Sequence, residues 1–147
     1  MAFTRSPETG TPATYTGTDE AEALSLTNQA SDITISAAGG DDVLTLSGAA
    51  LAANALSSFT VYGNDGDDTI TINPNEIAAS LVQGGAGDDT ITMNAANVNI
   101  NGGTVRGGSG DDTIGVAAVV NATVNGSKGD DIINTSGNIT DSRTYGG

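Results

Sequence analysis

Gly84-Gly85-Ala86-Gly87-Asp88-Asp89-Thr90-Ile91-Thr92 is the stretch that decides the fold. A glycine-rich bend delivers two adjacent carboxylates, and a short alternating strand follows. Close copies run from Gly63 to Thr71 (GNDGDDTIT), Gly107 to Gly115 (GGSGDDTIG) and Gly126 to Asn134 (GSKGDDIIN). A weaker copy spans Ala37 to Thr45 (AAGGDDVLT). A degenerate first copy, Gly17 to Ser25, keeps the leading glycine and the apolar eighth position and carries Glu22 where the others have Asp.

The eighth position marks the period. Leu24, Leu44, Ile70, Ile91, Ile114 and Ile133 are separated by 20, 26, 21, 23 and 19 residues. A period near 20 with variable insertions is the mark of a solenoid. After each loop apolar residues alternate: Leu24/Leu26, Leu44/Leu46, Ile70/Ile72, Ile91/Met93 and Ile114/Val116, weakening at Ile133/Thr135. Strand side chains alternate faces, so stacked coils would line these residues up as two inner columns. A second strand precedes each loop, marked by Tyr15, Ile35, Val61, Val82, Val105 and Val124, and forms a facing wall. The thin space between two such walls accounts for an aromatic content of 3%.

These features predict an all-β, right-handed parallel β-roll or β-solenoid of about six coils, with short helical or loop insertions on one edge. Residues 1–12, with Pro7 and Pro12, read as an extended arm, and 13–147 as the solenoid. Asn73-Pro74-Asn75-Glu76 fits a helix start, with one turn expected at 74–79. Ser47 to Ser58 could hold a longer turn, and Asn94 to Gly103 reads as loop with an extra extended piece. Arg143-Thr144-Tyr145-Gly146-Gly147 repeats the pre-loop strand and two glycines, so the final coil reads as incomplete. An exposed solenoid end invites pairing, which predicts other protein chains as partners there.

Eighteen acids against four bases give a formal charge of −14. That excess repels nucleic acid and anionic membrane surfaces and suits cations. Ten of the acids form five Asp-Asp pairs, each after a glycine and just ahead of an apolar residue. Disordered solvating charge would not keep that register. No apolar run reaches membrane-spanning length, so no membrane insertion is expected. The N-terminus lacks the apolar core of a cleavable signal peptide.

The nine-residue pattern Gly-Gly-x-Gly-x-Asp-x-U-x, with U a large apolar residue, is the calcium-binding repeat of the RTX proteins. This chain resembles that family from about residue 17 to 134. Gly84–Thr92 and Gly107–Gly115 match every defined position; Gly63–Thr71 and Gly126–Asn134 lack the second glycine, and Ala37–Thr45 lacks both leading ones. The resemblance implies Ca²⁺ held between adjacent coils by sixth-position carboxylates and loop carbonyls. Carried over, those side chains are Asp42, Asp68, Asp89, Asp112 and Asp131, with Glu22 a weaker member. The fifth-position Asp41, Asp67, Asp88, Asp111 and Asp130 would lie outside the ion or face solvent. Family coils carry two motifs, whereas each coil here carries one and a longer return. A single row of ions on one edge is the expectation.

Physics points the same way. Stacking sets equivalent Asp residues about 4.8 Å apart. At an effective dielectric of 20, two such charges repel by roughly 3 kcal/mol. Calcium suits such a row, since it takes six to eight oxygens in flexible geometry. With no His and no Cys, zinc and copper sites are not expected. A metal-free turn is the plainer alternative for any one Gly-Asp-Asp.

An enzyme is not expected: adjacent carboxylates do not flank a scissile bond, and no His or Cys supplies a base or nucleophile. The leading reading is a calcium-stabilised structural or assembly module of an extracellular, cell-surface or virion-associated protein. The alternative is a surface- or glycan-binding module. Thr69/Thr71 and Thr90/Thr92 form ranks like those of ice-binding solenoids, but Gly115, Ile132 and Asn134 break them.

Overall fold

A residue flanked by polar neighbours on a strand has one side to hide, and here that side is shared by every copy. The computed structural model describes residues 3–6, 12–27, 32–47, 56–73, 76–93 and 99–146. After β1 (Thr4–Ser6), the chain climbs in rungs. The first holds β2 (Ala13–Thr16) and β3 (Ala23–Thr27). The second holds β4 (Ile33–Ser36), β5 (Val43–Ser47) and β6 (Leu56–Ser57). The third holds β7 (Thr60–Asp65), β8 (Thr69–Ile72) and β9 (Glu76–Ala78). The fourth holds β10 (Leu81–Ala86), β11 (Thr90–Met93) and β12 (Asn99–Asn101). The fifth holds β13 (Thr104–Ser109), β14 (Thr113–Val116) and β15 (Ala118–Val120). The sixth holds β16 (Thr123–Lys128), β17 (Ile132–Thr135) and β18 (Ile139–Thr140), and β19 (Arg143–Tyr145) opens a seventh.

Equivalent strands pair in parallel into three sheets: β2-β4-β7-β10-β13-β16-β19 with β1 added at its edge, β3-β5-β8-β11-β14-β17, and β6-β9-β12-β15-β18. The molecule is an all-β solenoid. The eighth-position column pairs in register as Leu24, Leu44, Ile70, Ile91, Ile114 and Ile133. The facing column does the same as Tyr15, Ile35, Val61, Val82, Val105 and Val124. Both columns are buried, except that Leu24 and Ile133 at the two ends are only partly covered.

The third sheet corrects the expectation of two walls. Residues 76–78 form a strand where the sequence predicts a helical turn, and Ala79 follows with φ of +48°. Asn99–Asn101 forms the extra extended piece read within Asn94 to Gly103, whereas Leu56–Ser57 is a strand within the stretch that reads as a turn. The remainder of those readings, at 48–55, 74–75 and 94–98, lies outside the described residues. The local helix signal is a single capped turn, worth little alone. Strand pairing of Glu76–Ala78 to a neighbour on both sides outweighs it. Inward from this third wall come Ile100 and Val119, both buried in the same core. No helix occurs among the described residues, and none there is long and apolar enough to cross a membrane.

The arm is not free along its described length. Its residues Thr4–Ser6 pair antiparallel with β2, against the parallel grain of the sheet. Phe3 packs against the end of the core.

Candidate metal centre

Each sheet-one strand runs straight into the repeated loop, and the fourth-position glycine then turns the chain toward sheet two. Gly66, Gly87, Gly110 and Gly129 take φ of +122°, +128°, +127° and +129°, where side chains are rarely tolerated. The turn sends the two following carboxylates to opposite sides. The fifth-position Asp41, Asp67, Asp88, Asp111 and Asp130 are all exposed. The sixth-position Asp42, Asp68, Asp89 and Asp112 are each only 1% exposed, and Asp131 is half-buried in the last rung.

The inner carboxylates form a ladder through the backbone. The amide of Glu22 donates to Asp42 Oδ1 at 2.7 Å, Asp42 to Asp68 at 2.8 Å, and Asp68 to Asp89 at 2.9 Å. Asp89 donates to Asp112 at 2.9 Å and Asp112 to Asp131 at 3.0 Å. In this ladder an amide always reaches forward to the next rung. The exposed ladder runs the other way. The amides of Asp67, Asp88, Asp111 and Asp130 donate back to Oδ1 of Asp41, Asp67, Asp88 and Asp111, at 2.8–3.0 Å.

One oxygen of every inner carboxylate is left over. Oδ2 of Asp42, Asp68, Asp89, Asp112 and Asp131 is buried and has no hydrogen-bond partner. In the last four it lies over the α-carbon of the loop's own first glycine. A methyl group built on Gly63, Gly84, Gly107 or Gly126 would overlap it. That is the physical reason for glycine at the first position, since its backbone does not need positive φ. A backbone oxygen adjoins at least one of these sites, because Gly84 O crowds the same point on Gly63 as Asp68 Oδ2.

An ionised oxygen hidden this way is costly. Burial raises the Asp42 carboxyl above its ordinary value. It pushes Asp68 and Asp112 up to about 6 and Asp89 to about 7. The amide donors pull each value down, and the negative charge of neighbouring Asp residues adds to the rise.

Five of the residues singled out for an inner row are thus brought into one file, and the five fifth-position residues line its outer side. Glu22 holds the corresponding place in the first rung: it is buried, and a methyl group built on Gly17 would overlap its Oε2. Unlike the Asp residues, its carboxylate also accepts the Thr18 amide and the Thr18 hydroxyl, both at 2.9 Å. The carboxylates stand in file without converging: among the described residues no three acidic side chains gather around one point. An ion seated on Oδ2 would draw its other ligands from backbone carbonyls. Such an all-oxygen set suits a hard cation. Neither a family model, nor a curated protein, nor a solved structure matches the chain.

The repeat pattern has glycine at the second loop position, yet three of the five copies that carry Asp-Asp lack it. Ala38, Asn64 and Ser127 hold it with φ of +81°, +80° and +93°. Asn64 is compensated by a bond from its side-chain amide to Ser36 Oγ at 3.1 Å. Replacing Ser127 by Gly is expected to relieve strain and raise stability by about 1 kcal/mol in urea denaturation.

Proposed function

We propose that the chain is a calcium-binding, calcium-stabilised structural module of an extracellular, cell-surface or virion-associated protein. The observation that carries this reading is the file of five buried carboxylate oxygens with no hydrogen-bond partner. A hidden anion needs a proton or a cation, and at neutral pH a cation serves five sites at once without protonating any. Asp42, Asp68, Asp89, Asp112 and Asp131 would hold the ions, with loop carbonyls completing the shell. Bound calcium supplies positive charge between rungs whose carboxylates otherwise repel. The module then stiffens where calcium is plentiful and loosens where it is scarce.

The test is thermal unfolding followed by far-UV circular dichroism at neutral pH, with calcium, with magnesium and with chelator. Calcium is expected to raise the melting temperature by several degrees and magnesium to do less, because magnesium demands a stricter octahedron. An unchanged melting curve across millimolar calcium would defeat the proposal.

A further inference from the structure

The outer face of the first sheet holds a file of side chains that takes no part in the metal centre. Val61, Val82, Val105 and Val124 are buried, so strand alternation turns the next residues, Tyr62, Gln83, Arg106 and Asn125, away from the core. Strand register joins these four in one file, with Ser36 before them and Tyr145 after. Arg106 is exposed, Tyr145 is 47% exposed, and Tyr62, Gln83 and Asn125 are half-exposed. Four rung steps of about 4.8 Å separate Tyr62 from Tyr145, roughly 19 Å along the axis. Beside this file runs a second outward column, in which Thr104 and Thr123 lead to Arg143. None of the chain's 18 acids stands in either column. Tyr15 and Phe59 are buried and Phe3 packs on the core, so the two remaining aromatic residues, Tyr62 and Tyr145, share this one file. Among the described residues neither Arg106 nor Arg143 pairs with an acid.

A phenol offers a flat apolar face with a polar tip, an amide both gives and accepts hydrogen bonds, and a guanidinium holds a carboxylate through two parallel bonds. Set in a straight file, such groups suit an extended polymer of ring-shaped, hydroxyl-rich units. They suit a globular protein poorly, since such an interface needs an apolar centre, and Leu81 is the one large aliphatic side chain in the two columns. Charge then selects the polymer. The chain carries −14 overall, yet this face has no acid and two guanidinium groups without an acidic partner. An anionic group is repelled elsewhere on the molecule and finds its counter-charge here. Physiological salt screens the more distant acids beyond about 8 Å and leaves direct contacts intact. We infer that the outer face of the first sheet binds a linear polysaccharide bearing carboxylate groups. Arg106 and Arg143 take the carboxylates, Tyr62 and Tyr145 lie under sugar rings, and the Gln83 and Asn125 amides meet ring hydroxyls between them. The face is built from strand side chains turned away from the core, and stands apart from the calcium reading.

The experiment titrates the 147-residue chain by calorimetry in calcium-containing buffer, with circular dichroism confirming β structure. The probes are oligosaccharides of hyaluronan and of polygalacturonate, both carboxylated, and neutral cello-oligosaccharides. At least one carboxylated probe is expected to bind, and the neutral one roughly tenfold more weakly. Arg106→Gln is expected to weaken binding roughly tenfold and Tyr62→Thr roughly fivefold, and both replacements suit an outward strand position. Thr71→Ala, on the outer face of the second sheet, is expected to change nothing. Failure of both carboxylated probes to bind the folded chain overturns the inference. So does equal binding of the neutral probe, or a loss with Thr71→Ala as large as that with Arg106→Gln. Sedimentation velocity without sugar tests a second copy as the occupant: self-association that Arg106→Gln abolishes assigns the face to that copy and also overturns the inference. Arg106→Gln is expected to keep the parent's calcium response in thermal unfolding, so either reading can fail without the other.

Discussion

Freed of metal, the protein is expected to gain stability as the pH is lowered from about 8 to about 5. The sign follows from the inner file. A carboxyl whose value rises on folding binds its proton more tightly in the folded chain. Its favourable contribution is complete below 3.8, the ordinary value, and is lost as the pH climbs through about 6 for Asp68 and Asp112 and about 7 for Asp89. For Asp89 the rise from 3.8 to about 7 corresponds to roughly 4 kcal/mol, and the three groups together approach the net stability of a small domain. The parent's profile sums all the inner carboxyls, and Asp89→Asn isolates one of them. The amide oxygen of Asn still accepts the Asp68 amide, and its nitrogen is neutral where Oδ2 was charged. At pH near 7.5 and without metal, Asp89→Asn is expected to melt above the parent by several degrees. Its pH slope between 5 and 8 flattens, and its calcium response shrinks. A variant that melts below the parent in chelator would mean that Oδ2 is not the costly group. Urea titrations at a series of pH values, with and without calcium, measure all three quantities.

Gly110→Ala is expected to cost about 4 kcal/mol or more, enough to leave little folded protein near neutral pH without metal. Its φ of +127° lies outside the region that side chains accept, and a methyl group there would overlap Gly87 O on the preceding rung. Backbone cannot move aside without parting the two rungs whose carboxylates are Asp89 and Asp112. Gly102→Ala is the control. It also has positive φ, at +74°, but nothing lies within 4 Å of the added carbon. There only the local conformational term applies, about 1 kcal/mol. Equal losses at the two sites would show that the tight approach of successive loops is not what glycine serves. Chemical denaturation of both variants decides it.

Much of this is legible in the residues. Thr90-Ile91-Thr92 alternates as a half-buried strand must, and its copies recur at matching places, so the amino-acid order alone reveals the inner columns. The inner and outer roles of Asp89 and Asp88 follow in the sequence only from the resemblance to the RTX repeat, since the two lie in the bend after Gly87 and not on a strand. Of the third sheet only the extended piece within Asn94 to Gly103 shows in such a reading. Asn99-Ile100-Asn101 carries one inward residue between two polar ones, too short a run to display a period. Its strand exists because a neighbouring rung lies within bonding distance on each side. The carboxylate-to-amide ladders escape for the same reason: residues about 20 apart meet only after the rungs have stacked. Their presence alters the energetics, since one oxygen of each inner pair is satisfied by backbone and only the other needs a proton or a cation. The first-position glycines look like turn formers in the sequence, but at Gly63, Gly84, Gly107 and Gly126 they make room for that second oxygen. The pairing of residues 4–6 with β2 has no local signal beyond a short polar stretch.

Ala21 sits at the fifth position of the first loop, where every later loop has Asp. Bonds between rungs run along the long axis, so tension on the two ends is carried by the interfaces in series, and the molecule is as strong as its weakest joint. Each later joint up to the sixth rung is laced by an outer side chain as well as an inner one. Between the first and second rungs Ala21 has no carboxylate to offer the Asp41 amide, so among the joints between successive loops that one parts first under tension.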